Sequence, residues 1–207
     1  MSIIIIYTIK TVIKLGGFMS KKPLNENQVK SLRKLVEGNE LHELLLNIGC
    51  DAMLRSSYLL SLKVKDVVNE DGSIKESVKV RQQKTKNYTL DIPLSKNSQD
   101  VIKKYLVERE KDSWIFVGNK SHYTKSSITQ KQYSRIVKGW VSSLGISNVG
   151  DYSTHSIRRT KSSLIYQKTQ NVEVCRRLLG HSNVTATSAY LGIEDTDALE
   201  VARNINI

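Results

Sequence analysis

Apolar residues recur at helical spacing along most of this chain, and one central stretch breaks the pattern with strict alternation. There Val78 and Val80 alternate with charged residues, and apolar and polar residues alternate again over 88–92. Two such runs joined by a polar segment predict a β-hairpin, whose tip falls around 84–87. The sequence therefore predicts an α+β, mainly helical fold with one small antiparallel β-hairpin or sheet.

Capping residues mark several of the predicted helix ends. Asn25 is placed to cap the first helix, and Gly180 is placed to end a later one. Ser182 or Asn183 can then cap the helix that follows. The helices predicted from spacing cover 26–36, 41–54, 57–62, 99–109, 129–144, 156–167, 172–179, 185–190 and 195–204.

The charge of the chain is strongly positive and unevenly placed. The 207 residues carry a formal net charge of +12. Between Ser113 and Tyr190, eleven Lys or Arg stand against two acids, a local balance of +9. After Tyr190, four acids stand against one Arg, a balance of −3. A basic body of this kind attracts polyanions, of which DNA and RNA are the usual ones.

The two ends of the chain are expected to differ from the domain between them. Residues 1–18 hold a short apolar run interrupted by lysines, which fits neither a membrane span nor a signal peptide. The glycine pair before Met19 matches the codons of a ribosome-binding site, so we expect 1–18 to be an extra N-terminal extension. Packing of this segment on the domain is the alternative. One domain is then expected over 19–207, with 192–207 as a C-terminal tail helix.

The two cysteines point to a structural role. Cys50 and Cys175 each lie in an apolar helical run, and their spacing suits neither a disulfide framework nor a metal site. We expect both to be buried small hydrophobic residues. Free thiols fit a reducing cytoplasm, where we place the protein with no membrane association.

The segment Thr154–Thr160 holds the first candidate site residues. His155 and Arg158 are three positions apart, so they share one face of a helix. In its first turn, free backbone N–H groups and the helix dipole also favour an anion. A guanidinium can hold two phosphate oxygens, and an imidazole can hold or move a proton beside them. The pair therefore suits a phosphate site, although an Arg such as Arg158, taken alone, is more often a solvated surface residue.

A second group of candidates follows at the junction between two predicted helices. Because Gly180 ends one helix, His181 is presented at the junction and not inside a helix. Tyr190 comes nine residues later. A single tyrosine is usually a core or surface residue, and its position after this junction is what distinguishes Tyr190.

Six positions, taken in order between about Asn25 and Leu191, resemble the tyrosine recombinase family, the phage-integrase type. They are Arg55 in Ala-Met-Leu-Arg, Lys84 in the hairpin, His155 and Arg158 in His-x-x-Arg, His181 in Leu-Gly-His, and Tyr190. The Ile-Pro-Leu end of the hairpin matches as well. The resemblance implies the catalytic-domain fold of that family and an enzyme that integrates, excises or inverts DNA at specific sites.

The resemblance also implies how the phosphate would be held. Arg55 and Arg158 would bind the scissile phosphate and stabilise its transition state. His155 would assist proton transfer and orient the phosphate. His181 would form a hydrogen bond with a phosphate oxygen.

The remaining positions would carry out the transfer itself. Tyr190 would attack the phosphate and leave a 3′-phosphotyrosyl link. Lys84 would protonate the 5′-hydroxyl leaving group, with Lys86 as the alternative because spacing does not separate the two. The bond energy is retained in the link, so these roles require no cofactor and no metal ion.

The resemblance also implies a protein assembly on DNA. Double-stranded DNA with specific recombination sites would be bound by a homo-oligomer, from dimer to tetramer, and an accessory DNA-bending protein fits this scheme. The acidic, amphipathic tail 192–207 would dock on a neighbouring subunit, with folding back on its own domain as the alternative. A bacterial, archaeal or phage protein associated with the nucleoid is expected.

Two departures from the family pattern leave alternatives open. Tyr58 stands where the family usually has an acidic residue, three positions after its first catalytic Arg. The chain also leaves no length for a separate N-terminal DNA-binding domain, so it resembles the short single-domain members or a truncated integrase. A type IB topoisomerase and a non-catalytic DNA-binding remnant are the rivals. The Leu-Gly-His junction and the acidic tail favour a recombinase over the first, and six filled positions argue against the second.

Overall fold

The computed structural model describes residues 21–79, 90–118, 126–193 and Arg203. The helices in these ranges are α1 (Glu26–Val36), α2 (Glu40–Ala52), α3 (Ser56–Leu59), α4 (Lys96–Tyr105), α5 (Gln130–Ser143), α6 (Thr154–Thr169), α7 (Val172–Leu179) and α8 (Val184–Leu191). Two short strands, β1 (Ser77–Val78) and β2 (Ile92–Pro93), form an antiparallel pair. The predicted α+β, mainly helical fold with a small antiparallel sheet is confirmed.

The sheet corresponds to the base of the predicted hairpin. Ser77 lies opposite Pro93, and Val78 lies opposite Ile92. The hairpin tip lies outside the described residues, and so do the extension 1–18 and all of the predicted tail helix 195–204 except Arg203. Within the described ranges, no helix combines the length and apolar character needed to cross a bilayer.

Capping side chains explain where the observed helices differ from the predicted ones. Helix α4 begins three residues earlier than its apolar spacing predicts because Ser95 caps it, and α6 begins two residues earlier because Ser153 caps it. Polar first turns carry no apolar periodicity, so spacing alone starts these helices too late. Asn25 and Gly180 occupy their predicted cap positions, and of the two candidates for α8 it is Asn183 that caps.

Helix α2 is the central helix of the core. Its middle turns, including Leu44, Leu45 and Ile48, have no exposed surface. It packs against α4 on one side and α6 on another. All residues from Glu43 to Ala52 are buried, so neighbouring elements surround this helix. This packing brings the end of α2, and Arg55 beyond it, close to the helix that carries His155 and Arg158.

Gly49 allows α2 to approach its neighbours closely. A Cβ at this position would lie 3.0 Å from the Tyr133 hydroxyl oxygen, 3.2 Å from Ile157 Cγ2 and 3.3 Å from Leu59 Cδ2. These three atoms belong to three different helices, so no single side-chain rotation relieves the crowding. Gly139, on the exposed side of α5, has no other atom within 4 Å of such a Cβ.

The two glycines therefore predict opposite effects of the same substitution. Gly139→Ala should raise stability by about 0.8 kcal/mol because alanine is the better helix former. Gly49→Ala should lower it, since overpacking costs about 1–3 kcal/mol and outweighs the helix gain. Thermal unfolding should show a Tm shift of about 2–4 °C per kcal/mol, upward for the first variant and downward for the second. Equal upward shifts would contradict the close packing at Gly49.

A buried carboxylate joins the helical core to the base of the hairpin. Asp51 accepts hydrogen bonds from the Ser95 backbone N–H at 2.7 Å, from the Ser98 hydroxyl, and from Lys161 Nζ at 2.9 Å. Lys161 also donates to the Pro93 carbonyl at 3.4 Å. Burial raises the pKa of Asp51, but the two serine hydrogen bonds and the Lys161 charge outweigh it and hold that pKa below its usual value. The cluster ties β2 and the start of α4 to α2 and α6.

Candidate active site

The start of α6 presents two of the predicted site residues. The Ser153 side chain accepts a hydrogen bond from the His155 N–H, which fixes the first turn. His155 is exposed, whereas Arg158, one turn later, is only 5% exposed. Arg158 Nη2 donates to the Leu179 carbonyl at 2.8 Å. The alternative that Arg158 is a solvated surface residue is therefore wrong, because its guanidinium is held inside the domain by the end of α7.

Arg55 approaches the same region from the end of α2. That helix ends at Met53, which adopts the left-handed conformation with φ of 49°. This conformation is uncommon for a residue other than glycine and turns the chain sharply. Arg55 follows at the N-terminal boundary of α3 with its side chain exposed.

The junction between α7 and α8 orients His181 and Tyr190 relative to each other. Gly180 ends α7 with φ of 65°, and His181 follows it. His181 Nδ1 lies 3.1 Å from the hydroxyl oxygen of Thr187, a buried residue of α8. The His181 ring meets the Tyr190 ring edge to face, with centroids 5.2 Å apart and an interplanar angle of 87°. Helix α8 therefore carries the tyrosine and also orients the histidine beside it.

The Tyr190 hydroxyl is enclosed in this structure. Its oxygen is inaccessible to solvent and makes no hydrogen bond with any described residue. The Arg158 guanidinium carbon lies 5.9 Å from the ring centroid, and its charge acts on the phenol. Burial raises the pKa of Tyr190 above its usual value, while the charges of Arg158, Arg159 and Arg55 act in the opposite direction.

The pKa values of the two histidines show that these groups share one electrostatic environment. His155 stays exposed at its surface side, but partial desolvation by the groups around it is the largest cause that lowers its pKa, followed by the Arg158 and Arg55 charges. The same three causes, in the same order, lower the pKa of His181 to about 4. Both imidazoles are therefore neutral at pH 7.

The site is cationic. Within the ranges that the structure describes, neither Arg55 nor Arg158 forms an ion pair with a carboxylate. Tyr58, in the position where an acid was expected from the resemblance, is buried and contributes no formal negative charge. Guanidinium groups that form no ion pair with a carboxylate suit a phosphate, which can accept two hydrogen bonds from one guanidinium.

The structure brings five of the six predicted positions together. They are Arg55, His155, Arg158, His181 and Tyr190. Lys84 and its alternative Lys86 lie outside the described residues. In the described part of the chain, no cluster of three or more His, Cys, Asp or Glu side chains could hold a metal ion.

Sequence reasoning missed Arg159. Its guanidinium carbon lies 4.9 Å from the Tyr190 ring centroid, and the residue is only 4% exposed. Adjacent residues on a helix point in different directions, so its neighbour Arg158 gave no reason to place it near the tyrosine. The sequence offered one weak signal, which is that Arg159 lies in a segment whose other residues are mostly buried.

Comparison with known proteins identifies the family. The profile described as the phage integrase family matches residues 22–196. The chain belongs to the phage integrase family, as the order of its motifs predicted.

Individual relatives agree with this assignment. The probable integrase/recombinase YoeC of Bacillus subtilis (strain 168) is 28% identical over 177 residues, covering 81% of this chain and 91% of that protein. A tyrosine recombinase of Thermosipho africanus (strain TCF52B) is 27% identical over 184 residues, covering 88% of this chain and 61% of that protein.

The fold is also found among solved tyrosine recombinases. The XerH site-specific recombinase, in a pre-cleavage complex with its difH substrate, matches with a TM-score of 0.68 and 20% identity over 90% of this chain. The predicted tyrosine recombinase fold is thus confirmed. The chain spans 55% of the length of the XerH chain.

Proposed function

We propose that this chain is a site-specific DNA recombinase that cuts and rejoins DNA through a 3′-phosphotyrosyl intermediate. One observation carries the proposal: arginine and histidine side chains from separate segments surround a single tyrosine. Arg55 and Arg158 form no ion pair with a carboxylate among the described residues, so they are complementary to a phosphodiester. Relatives named integrase and tyrosine recombinase support the same class of reaction.

The proposed reaction is an attack on phosphorus by the Tyr190 oxygen. The new bond joins that oxygen to the 3′-phosphate, and the bond to the 5′-oxygen breaks. Arg55 and Arg158 hold the non-bridging oxygens, whose negative charge grows in the transition state. The leaving 5′-oxygen takes a proton from Lys84, or from Lys86. Rejoining is the reverse reaction with a 5′-hydroxyl from either the same or another DNA strand.

The histidines act on the phosphate from two different segments in this proposal. His181, oriented by Thr187, can donate its Nε2–H to a phosphate oxygen in the tautomer whose Nδ1 accepts the Thr187 hydroxyl. His155 lies at the N-terminal turn of α6, where backbone N–H groups also favour an anion. Because both imidazoles are neutral before DNA binds, His155 can accept the tyrosine proton as the attack proceeds.

Tyr190 must become accessible for this reaction. Its hydroxyl is enclosed in this structure, with no hydrogen bond to a described residue. Entry of the phosphate between Arg158 and Tyr190 would give the hydroxyl a partner and expose it to phosphorus. We therefore propose that DNA binding opens the space between the Arg158 guanidinium and the Tyr190 hydroxyl.

The wider assignment follows the same reasoning. Double-stranded DNA carrying recombination sites is the proposed partner, and homo-oligomers would assemble on it, with or without a DNA-bending protein. The catalytic domain would span 19–207, with 1–18 as an extension and 192–207 as the assembly tail. A cytoplasmic, nucleoid-associated protein fits a DNA substrate.

The test first traps the covalent protein–DNA intermediate and then measures recombination between two duplexes. A pool of nicked duplexes with randomised arms is incubated with the protein, so that loss of a short 5′-hydroxyl fragment after cleavage traps the adduct. Species that survive denaturation are isolated and their DNA is sequenced. Two marked duplexes with the recovered sequence should then yield recombinant products.

Each alternative gives a different result in this experiment. A topoisomerase would form adducts and relax supercoiled DNA without producing recombinants, and a non-catalytic remnant would bind DNA without forming adducts. Because arginines neutralise the phosphate in the proposed mechanism, a chelator such as EDTA should leave the adduct yield unchanged. Loss of the adduct with chelator and its return with magnesium would contradict the mechanism.

A further inference from the structure

Arg159 is buried against the face of Tyr190. Its guanidinium carbon lies 4.9 Å from the ring centroid, closer than that of Arg158 at 5.9 Å. The His181 ring meets the same tyrosine edge to face. A planar guanidinium over an aromatic ring is a favourable cation–π contact, and burial strengthens it. The Arg159 guanidinium and the His181 ring therefore both pack against the tyrosine ring.

The other contacts of Arg159 hold its guanidinium in this place. Arg159 Nη1 donates to the Lys21 carbonyl. A Cβ on Gly192, at the end of α8, would lie 4.0 Å from Arg159 Nη2. The guanidinium thus lies at the C-terminal end of α8, where the helix dipole favours a cation.

The chain segment that supplies the Lys21 carbonyl is itself bonded to the turn before α6 and to the middle of α6. The Lys22 N–H donates to the Asp151 carbonyl at 3.0 Å, and Lys22 Nζ pairs with the Asp151 carboxylate at 2.8 Å. The Leu24 N–H donates to the Thr160 hydroxyl at 3.1 Å. Residues 21–24 therefore pack along the helix that carries Arg159. Their connection to the tyrosine is the Arg159 side chain.

We infer that Arg159 is a positioning residue for Tyr190, connecting the backbone of residues 21–24 to the ring of the nucleophile. This inference rests on the proposed function, because it assigns Tyr190 as the attacking group. Arg159 would limit rotation and displacement of the ring, so that the phenol oxygen meets the phosphorus in line. An error of about 1 Å in such a position can cost about 10²-fold in rate. The role differs from that of Arg158, which would touch the phosphate itself.

The test separates positioning from phosphate binding and from folding. Arg159→Met removes the charge and the planar group but retains a long side chain, and Arg159→Lys retains the charge. Arg135→Met, on the exposed surface of α5, is the matched loss of one cationic charge. The measurements are the rate of adduct formation at saturating nicked DNA, the equilibrium Kd for the same DNA, and the Tm.

Arg159→Met should reduce the rate of adduct formation by about 10- to 10²-fold, with the Kd changed by less than about twofold. Arg159→Lys should recover part of the rate, and Arg135→Met should match the wild type. The loss should persist on DNA with sulfur in place of the 5′-bridging oxygen, because a thiolate leaves without a proton. Loss of Lys84, the proposed acid, should be rescued by that sulfur.

The outcomes distinguish this inference from the proposed function. If the wild-type protein forms no adduct, the proposed function fails. If the wild type forms it and Arg159→Met is equally fast, only the positioning role is overturned. A loss of rate that is fully explained by weaker DNA binding or by unfolding, or that the sulfur substrate rescues, would also overturn it.

Discussion

Tyr190→Phe is expected to abolish covalent joining to DNA while leaving DNA binding and folding close to those of the wild type. The substitution removes one oxygen, which has no hydrogen-bond partner among the described residues, so no buried group loses a partner. The ring still packs against His181 and Arg159. Without the oxygen, no bond to phosphorus forms.

The measurement compares adduct yield on nicked DNA with the Kd and Tm of the same variant. Tyr166→Phe, a partly buried tyrosine of α6, is the matched control because it also removes one phenol hydroxyl. The control should form adducts at the wild-type rate. Normal adduct formation by Tyr190→Phe would show that another residue is the nucleophile.

Arg158→Ala is expected to give the second large effect, a fall of about 10²–10³ in the rate of cleavage. The guanidinium is positioned by the Leu179 carbonyl, and the resemblance assigns it to the phosphate oxygens. Arg158→Lys should recover only part of this rate, because an ammonium lacks the planar pair of donors. The measurement is single-turnover cleavage at saturating DNA.

A neighbouring arginine provides the control for this prediction. Arg177 is exposed on α7 and pairs with Glu173, so Arg177→Ala removes a positive charge outside the site. It should change the rate by about twofold or less. Because Arg158 is buried, the Tm of Arg158→Ala must be measured as well. A cleavage rate close to that of the wild type in a folded Arg158→Ala protein would show that Arg158 has no role in the site.

The parts of the site that could be predicted were those that depend on local spacing. His155 and Arg158 share a helix face because they are three residues apart, and Gly180 ends α7 as its freedom to adopt a positive φ predicted. The cysteines are buried, as their apolar surroundings indicated. Each of these follows from a few neighbouring residues.

The parts that could not be predicted depend on contacts between distant segments. The bond from Arg158 to the Leu179 carbonyl spans 21 positions, and that from Arg159 to the Lys21 carbonyl spans 138. The ion pair between Asp51 and Lys161 joins positions 110 apart. No periodicity encodes such pairs, so the burial of these charged groups becomes visible only in the folded chain.

The most direct test of the central claim is to locate the residue that carries DNA in the trapped adduct. After nuclease and trypsin digestion, the peptide Leu178–Arg203 contains one tyrosine, Tyr190, and no internal Lys or Arg. Mass spectrometry should find the residual nucleotide on this peptide, and fragmentation should assign it to Tyr190, two residues from Ser188. A nucleotide on any other residue, or wild-type protein that forms no adduct with any DNA of the randomised pool, would contradict the assignment of a phosphotyrosyl recombinase.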